Sequence, residues 1–280
     1  MNTIECCICG PVKNCSDYLP KVFENIEKIG SLFKDYKILI FYDKSSDGTL
    51  QKLRDYKNKN PTRLEFYVNK KPVSTFRTHN IAYGRNMCLE KIRENKDKYP
   101  FFIMMDFDDV NCKNINLSIL PKYFDSSKYE WDALSFNTYP KYYDIWALSI
   151  YPYCFSYNHF DNNTNNGYYV IQNYIMNKLN NLKITEDNVE LLSCISSFNG
   201  FAIYKTSKFL HSYYDGRVRY DLLPKKLLLA HSNVANSLLM FKDYGNVNGL
   251  YEDCEHRAFH NIAIQKTNAK IKISPEILFT

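Results

Sequence analysis

The sequence predicts an α/β domain with a mostly parallel central sheet flanked by helices, and three observations carry that expectation. Short apolar runs alternate with segments of helical period up to Asn111. The run Phe101–Met105 has no polar residue, as a strand buried on both faces does. It ends abruptly in Asp106, Asp108 and Asp109.

Thr3 to Cys9 reads as the first strand, ended by Gly10-Pro11. Leu19, Val22, Phe23, Ile26, Ile29 and Phe33 then recur at helical spacing behind Ser16 and Asp17, residue types that cap helices. Lys37 to Tyr42 makes a second strand, broken by the turn-forming cluster from Asp43 to Thr49. A helix follows over Leu50–Tyr56 with Asp47 as its cap. Arg63 to Val68 is a third strand, Thr78 to Glu94 a helix, and Phe101–Met105 the fourth strand. Beyond Asn111 the pattern is irregular, and Trp131–Phe136 and Ser197–Tyr204 are the best strand candidates. An aromatic stretch, Tyr139–Tyr157, and a polar loop, Asn158–Gly167, lie between them. Loops of that length often serve as lids or binding loops.

The totals bound the function. A chain of 280 residues that is 45% apolar and 24% charged folds as one globular domain. The charge of +6 is scattered rather than gathered into a stripe, which suits anionic small molecules and not nucleic acid. The longest apolar runs fall far below the roughly 18 residues that span a bilayer. Met1–Gly10 has neither a basic lead nor a long apolar core, so no secretory signal is expected and the cytoplasm is the expected location. Nine cysteines, odd in number and irregular in spacing, predict reduced, buried thiols. Cys6 and Cys9 stand in C-x-x-C spacing without a second matching pair, which argues against zinc. Heavy use of Asn, Lys and Ile with 24 Tyr suggests an AT-rich coding genome of a large virus or a protist; for a virus the location becomes the host cytoplasm.

Three segments carry chemistry. Asp106 and Asp108, two apart at the end of a buried strand, point to the same side while Phe107 points back. Ligands of open α/β sheets bind beyond the carboxyl ends of the strands, and paired carboxylates there suit Mg²⁺ or Mn²⁺ with a nucleoside diphosphate. A bare capping role needs one Asp and not three. Arg85 falls, at about 100° per residue, within the arc of Ile81, Cys88, Leu89 and Ile92, so its guanidinium faces the core and needs a partner. A diphosphate, a site carboxylate or a structural ion pair would serve, and Arg77 is a second phosphate candidate. Asp43, at the end of the second strand, is placed to reach a nucleobase or ribose. The segment Tyr251–His260 holds three acids and two histidines, enough for a general base and a nitrogen ligand, or alternatively a solvated helix with Glu252 and His256 one turn apart. Trp131, Tyr142, Tyr143 and Trp146 are either core residues or a stacking surface for an acceptor sugar.

The order of these motifs resembles the family 2 glycosyltransferases of the GT-A fold: Asp43 with Ser45–Thr49, Ile81–Asn86, Asp106–Asp109, then Glu252-Asp253. Tyr142–Leu148 and Cys254–His260 are similar to a subgroup found in capsular and viral glycosyltransferases. The resemblance implies that Asp43 contacts the nucleobase, Arg85 and Arg77 the diphosphate, Asp106 the ribose or metal, and Asp108 the metal. Gly10 and Pro11 join the donor-binding residues. Asp253 matches the base of inverting members, with Glu252 and Glu255 as fallbacks, and His260 resembles a late histidine that completes the metal shell. The chain departs from the family where Tyr42-Asp43-Lys44 replaces an acidic pair, and it lacks a Q-x-x-R-W motif, so a processive synthase is not expected.

The expectation is therefore a Mn²⁺- or Mg²⁺-dependent transfer of sugar from a UDP- or GDP-sugar to a hydroxyl of a glycan or protein acceptor. Residues 1–280 form one domain, with 1–112 the nucleotide-sugar half and 113–280 the acceptor half. Two alternatives remain. A nucleotidyltransferase is one, although Cys9–Val12 makes a poor Gly-rich phosphate loop. The other is a non-catalytic binding module on the same scaffold.

Overall fold

Each apolar run of the first third becomes a parallel strand, and each segment of helical period becomes a helix laid against it. The computed structural model describes residues 1–155, 165–235 and 252–280. In order come β1 (Glu5–Val12), α1 (Leu19–Gly30), β2 (Asp35–Asp43), α2 (Thr49–Lys59), β3 (Leu64–Asn69), α3 (Arg77–Glu94) and β4 (Phe101–Met105). Then follow β5 (Ala133–Asn137), α4 (Asn165–Asn180), β6 (Leu192–Cys194), β7 (Phe201–Lys205), α5 (Thr206–Phe209), α6 (Lys225–Ala235), α7 (Glu255–Thr267) and β8 (Ile271–Ile277).

The strands form one eight-stranded sheet in the order β3-β2-β1-β4-β7-β5-β8-β6. The β3-β2-β1-β4 half is wholly parallel. β7 is antiparallel to both β4 and β5, β8 is parallel to β5, and β6 closes the far edge antiparallel. Strand residues alternate between two cores. Cys6, Ile8, Ile38, Ile40, Ile103 and Ile203 face α1, whereas Cys7, Cys9, Leu39, Phe102, Met104 and Tyr204 face α3 and α7. Period-2 burial on both faces is what converts these runs into a sheet interior.

Several boundaries differ from the sequence reading. β1 runs on through Gly10-Pro11 because β4 pairs with it only as far as Cys9–Met104. Pro11 therefore has a strand on one side alone, where a residue without an N–H is tolerated. Ser16 and Asp17 do not cap α1: the Ser16 hydroxyl donates to Asp17, and the Leu19 N–H goes to the Cys15 carbonyl. Asp47 is not the cap of α2, which is Gly48; it stands one residue earlier, where Oδ1 accepts the Thr49 N–H and Oδ2 the Ser16 N–H. The two later strand candidates become β5 and β7 with later starts, while β6 and β8 are additional. The expected polar loop falls mostly in 156–164, outside the described residues, as does Tyr251. All nine cysteines are unpaired. Among the described residues no helix is long and apolar enough to cross a membrane.

Candidate active site

Because β1, β2 and β4 run parallel, their carboxyl ends share one edge of the sheet, where open α/β sheets bind ligands. A cavity of about 920 Å³ opens there. Its floor is the tip of β4. Asp106, Phe107 and Asp108 all border the cavity, with the Phe107 ring buried in the core at 1% exposed. Gly10 makes this tip possible, since a Cβ there would lie 2.2 Å from the Met105 carbonyl oxygen and 3.0 Å from the Phe107 ring. Gly10 supports the acidic tip from beneath and does not line the cavity, a correction to its expected contact with ligand; Pro11 does line it.

The backbone at the tip is tightly held. The Asp106 N–H donates to the Gly200 carbonyl at 2.8 Å. The Asn111 amide bridges the Asp106 and Gly200 carbonyls at 2.8 and 2.7 Å. Gly200 has φ +83° and a Cβ would meet Val110 at 2.6 Å, so the join between β4 and β7 requires glycine.

α3 turns Arg85 inward, as its helical position predicted, and leaves it 3% exposed. Nε donates to Glu255 and Nη2 to Asp106, both at 2.8 Å. The guanidinium lies 4.5 Å from the Phe198 ring centroid. Nη1 has no partner. Burial works against the charge, but the two carboxylates outweigh it and hold the group charged beyond the usual arginine range. The expected alternative of an ion pair is thus realised, and it joins α7 to the tip of β4 through one residue.

On the β2 side, Asp43 accepts from Lys13 Nζ at 2.9 Å, from the Lys44 N–H at 3.0 Å and from the Asn69 amide at 3.1 Å. Lys13 also lines the cavity, and the sequence reading gave it no role. Arg77, the first residue of α3, is exposed and lines the same cavity.

On the opposite side, beyond β4, a turn after β5 presents Tyr143, Asp144 and Trp146. Asn199 organises it: its amide donates to the Phe136 carbonyl at 2.7 Å, and its oxygen accepts the Asp144 N–H at 2.8 Å. Asp144 Oδ1 accepts the Ala147 N–H at 3.0 Å, capping the turn Ile145–Ala147. Burial, then Asp106 and Glu255, push the Asp144 carboxyl up to about 7. Burial, Asp106 and Asp109 push that of Asp108 up to about 7 as well. Among the described residues the Asp108 oxygens are reached by the Val110 N–H and the Tyr143 hydroxyl, each at 3.4 Å. Asp144, like Lys13, is a residue the sequence reading missed; an acid inside the aromatic segment Tyr142–Trp146 was the available signal.

Of the three acids expected to act as base, only Glu255 lines the cavity. Glu252 accepts the Thr78 N–H at 2.7 Å and its hydroxyl at 3.0 Å, which closes off the first turn of α3. Asp253 is buried with Oδ2 on Arg257 Nε and Oδ1 on the Cys254 N–H, both at 2.8 Å. It sits just outside α7 and is held by the arginine one turn in. His260 does not join Asp106 and Asp108. Its ring nitrogens meet the Ser196 and Tyr204 hydroxyls at 3.0 and 3.1 Å, and burial then Arg257 push its pKa down to about 3. The solvated-helix alternative also fails, because α7 is buried from Glu255 to Ala263. Trp131 and Tyr142 are core residues, whereas Tyr143 and Trp146 reach the cavity.

Among the described residues no group of three or more His, Cys, Asp or Glu side chains is arranged to hold a metal ion. Asp106 and Asp108 are a two-carboxylate set, which fits Mg²⁺ or Mn²⁺ when water and substrate phosphates complete the shell. Burial, with Asp106 and Asp109 alongside, raises the Asp108 carboxyl pKa, and that is the setting a cation relieves.

A search of curated protein sequences returned no significant match. Among solved structures, S. aureus TarS 1-349 is 14% identical with a TM-score of 0.41, over 85% of this chain and 57% of that one. The mannosyltransferase PcManGT from Pyrobaculum calidifontis, in complex with GDP-Man and Mn²⁺, is 15% identical with a TM-score of 0.36, over 49% of this chain and 36% of that one. The chain thus spans little more than half of the first structure and about a third of the second. The family model for glycosyl transferase family 2 matches residues 7–189, well over half of the sequence and all but the first two residues of the parallel half-sheet. The chain belongs to glycosyl transferase family 2.

Proposed function

We propose that the chain is a metal-dependent glycosyltransferase. It moves a sugar from a UDP- or GDP-sugar to a hydroxyl of a glycan or glycoprotein, with inversion, in the cytoplasm. The observation that supports this most is the sequence of charges along one crevice. Lys13 and Asp43 stand at the ends of β1 and β2, Asp106 and Asp108 at the tip of β4, and Asp144 after β5, with Arg77 and Glu255 lining the same crevice from α3 and α7. A nucleoside fits the first group, a diphosphate with its cation the second, and the reacting sugar the third. The donor then lies mainly against residues 1–112 and the acceptor against 113–280.

Asp106 and Asp108 are the residues that would hold Mn²⁺ or Mg²⁺. Bound there, the cation supplies positive charge against the diphosphate leaving group. Glu255 takes the proton of the acceptor hydroxyl as its oxygen attacks the anomeric carbon and the bond to the diphosphate oxygen breaks. Arg85 orients Glu255 and Asp106 together. Asp253 is not given this role, because both of its oxygens are held by Arg257 and the backbone. Tyr143, half exposed at the mouth, offers a ring to the acceptor.

Assays of the wild type, Asp108→Ala and Glu255→Gln against UDP- and GDP-sugars, with and without Mn²⁺, test the proposal. Release of free nucleoside diphosphate that needs Mn²⁺ and both carboxylates is expected. Pyrophosphate release would indicate nucleotidyl transfer instead, and donor binding without turnover over a broad acceptor panel would indicate a binding module. Metal-independent transfer surviving Asp108→Ala would refute the mechanism.

A further inference from the structure

We propose that the β3 end of the sheet is a docking surface for an anionic lipid membrane, and that docking brings the mouth of the crevice to the bilayer. This surface is separate from the donor site and does not depend on the donor-binding reading.

The net charge of the chain lies there. Its cations are spread along the sequence, but the acids that offset them are not. Residues 44–79 hold nine lysines and arginines against three acids, so they carry the whole excess of +6 and the rest of the chain is neutral overall. In the fold these residues are the turn after β2, all of α2, the edge strand β3, and the loop that leads into the start of α3. α2 packs against β3, and Asp43 pairs with Asn69 in register, so the turns that begin at Lys44 and Lys70 leave the sheet side by side. Lys44, Lys52, Arg54, Lys59, Lys70 and Lys71 are exposed, and none has an ion pair among the described residues. The other three cations are engaged elsewhere: Arg63 is paired with Asp35, Lys57 lies over the Phe66 ring, and Arg77 lines the crevice. The three acids turn to neutral donors, Asp47 to the Ser16 and Thr49 N–H groups, Asp55 to Gln51 and Glu65 to the Tyr67 hydroxyl. None of the six free cations lines the crevice, so a donor diphosphate does not account for them.

The chemistry of the patch favours a membrane over other polyanions. Five of the six are lysines. A lysine is a compact charge suited to a diffuse anionic surface, whereas planar, bidentate phosphate recognition selects arginine. Apolar side chains stand among them, with Val68 45% and Val73 52% exposed. Val73 belongs to a loop whose peptide groups are satisfied from within. Asn80 Oδ1 accepts the Val73 and Ser74 N–H groups at 2.8 and 3.1 Å, and its Nδ2 donates to the Ser74 and Phe76 carbonyls at 2.8 and 2.7 Å. A loop closed in this way can carry Val73 into a headgroup layer without taking bare N–H groups out of water. Pro72, Ser74 and Thr75 of the same loop line the crevice, so a docked loop sets the crevice mouth at the membrane surface.

Co-sedimentation of the full chain with vesicles tests this, comparing phosphatidylcholine alone with phosphatidylcholine mixed with phosphatidylserine, each at low and at high salt. Binding is expected on the mixed vesicles alone, and high salt should release it. Lys70→Glu combined with Lys71→Glu should weaken it about tenfold or more, since each charge near such a surface is worth about fivefold. Val73→Ser, which leaves the charge unchanged, should weaken it several-fold. Lys178→Glu combined with Lys266→Glu makes the same change of charge on exposed residues outside 44–79 and should stay near the wild type. Melting curves check the fold of each variant, and Lys44→Glu with Lys52→Glu gives a second reading of the patch if the loop variant does not fold. No binding to the mixed vesicles, equal binding to both kinds, binding that salt does not release, or equal loss in the patch and control pairs would overturn the proposal. Capture of duplex DNA or heparin with vesicles left unbound would overturn it as well and assign the surface to a soluble polyanion. No nucleotide enters the experiment, so its failure and that of the donor-binding reading are distinguishable.

Discussion

Arg85 and Arg257 are both almost fully buried, and both grip a carboxylate near the start of α7, yet the two networks differ in how complete they are. Arg257 is saturated. Its Nε holds Asp253, Nη1 reaches the Leu148 carbonyl at 3.0 Å, the Cys154 carbonyl at 2.6 Å and the Ser149 hydroxyl, and Nη2 reaches the Trp146 carbonyl. Arg85 has two carboxylates and, among the described residues, an idle nitrogen, on the wall of a cavity. A completed network fastens the 146–154 segment to α7; an incomplete one beside a cavity is suited to a ligand. Asp253 and Glu255, two residues apart, fall on opposite sides of that division, so an acidic motif does not by itself say which acid does the chemistry.

The largest effect that tests this contrast is on stability. Arg257→Met leaves Asp253 buried without its cation and is expected to cost about 3–5 kcal/mol in denaturant unfolding. A loss under about 1 kcal/mol would mean the network is no staple. Arg85→Lys keeps the charge but loses the fork that spans Asp106 and Glu255. Its transfer rate should fall on the order of 10²–10³-fold while the fold survives, an effect comparable to removing one preorganised donor. Unfolding without a rate defect would reverse the assignment of the two arginines.

A smaller effect concerns pH. The Asp144 carboxyl is raised in the fold from the ordinary aspartate value of 3.8 to about 7, so the folded chain holds this proton more readily than the unfolded one. That stabilisation is full below 3.8 and disappears as pH rises through about 7. Asp144→Asn should therefore melt higher than the wild type at pH 8, with the gap closing toward pH 5. A gap that is constant with pH would show that Asp144 does not titrate there. Smallest of all, Glu252→Ala removes the carboxylate over the first turn of α3 and should cost about 1 kcal/mol, with transfer otherwise intact. A large rate loss would return Glu252 to the catalytic group.

The parallel half of the sheet was legible because its signals are local. Phe101–Met105 is apolar throughout, α3 keeps its helical period across Arg85, and Asp43 and Asp106 stand where such runs end. β8 was hidden by Lys272, Ser274, Pro275 and Glu276, which break both an apolar run and a clean alternation. β6 has three residues and depends on β8 for its pairing. At the site, Arg85 was found because a charge on an apolar face needs an explanation. Asp144 and Lys13 were not, since their importance comes from chain crossings that bring β5 and β1 to one edge. His260 misled for the same reason: proximity in sequence to Glu255 placed it on the same helix but against the Ser196 and Tyr204 hydroxyls.

The most direct test of the central claim is calorimetric binding of UDP- and GDP-sugars to the wild type and to Asp108→Ala, each with Mn²⁺ and with chelator. Binding of one nucleotide class that requires Mn²⁺ and is lost with Asp108 is the predicted result. A folded wild type that binds no sugar nucleotide, or binds one equally well without the cation and without Asp108, would contradict it.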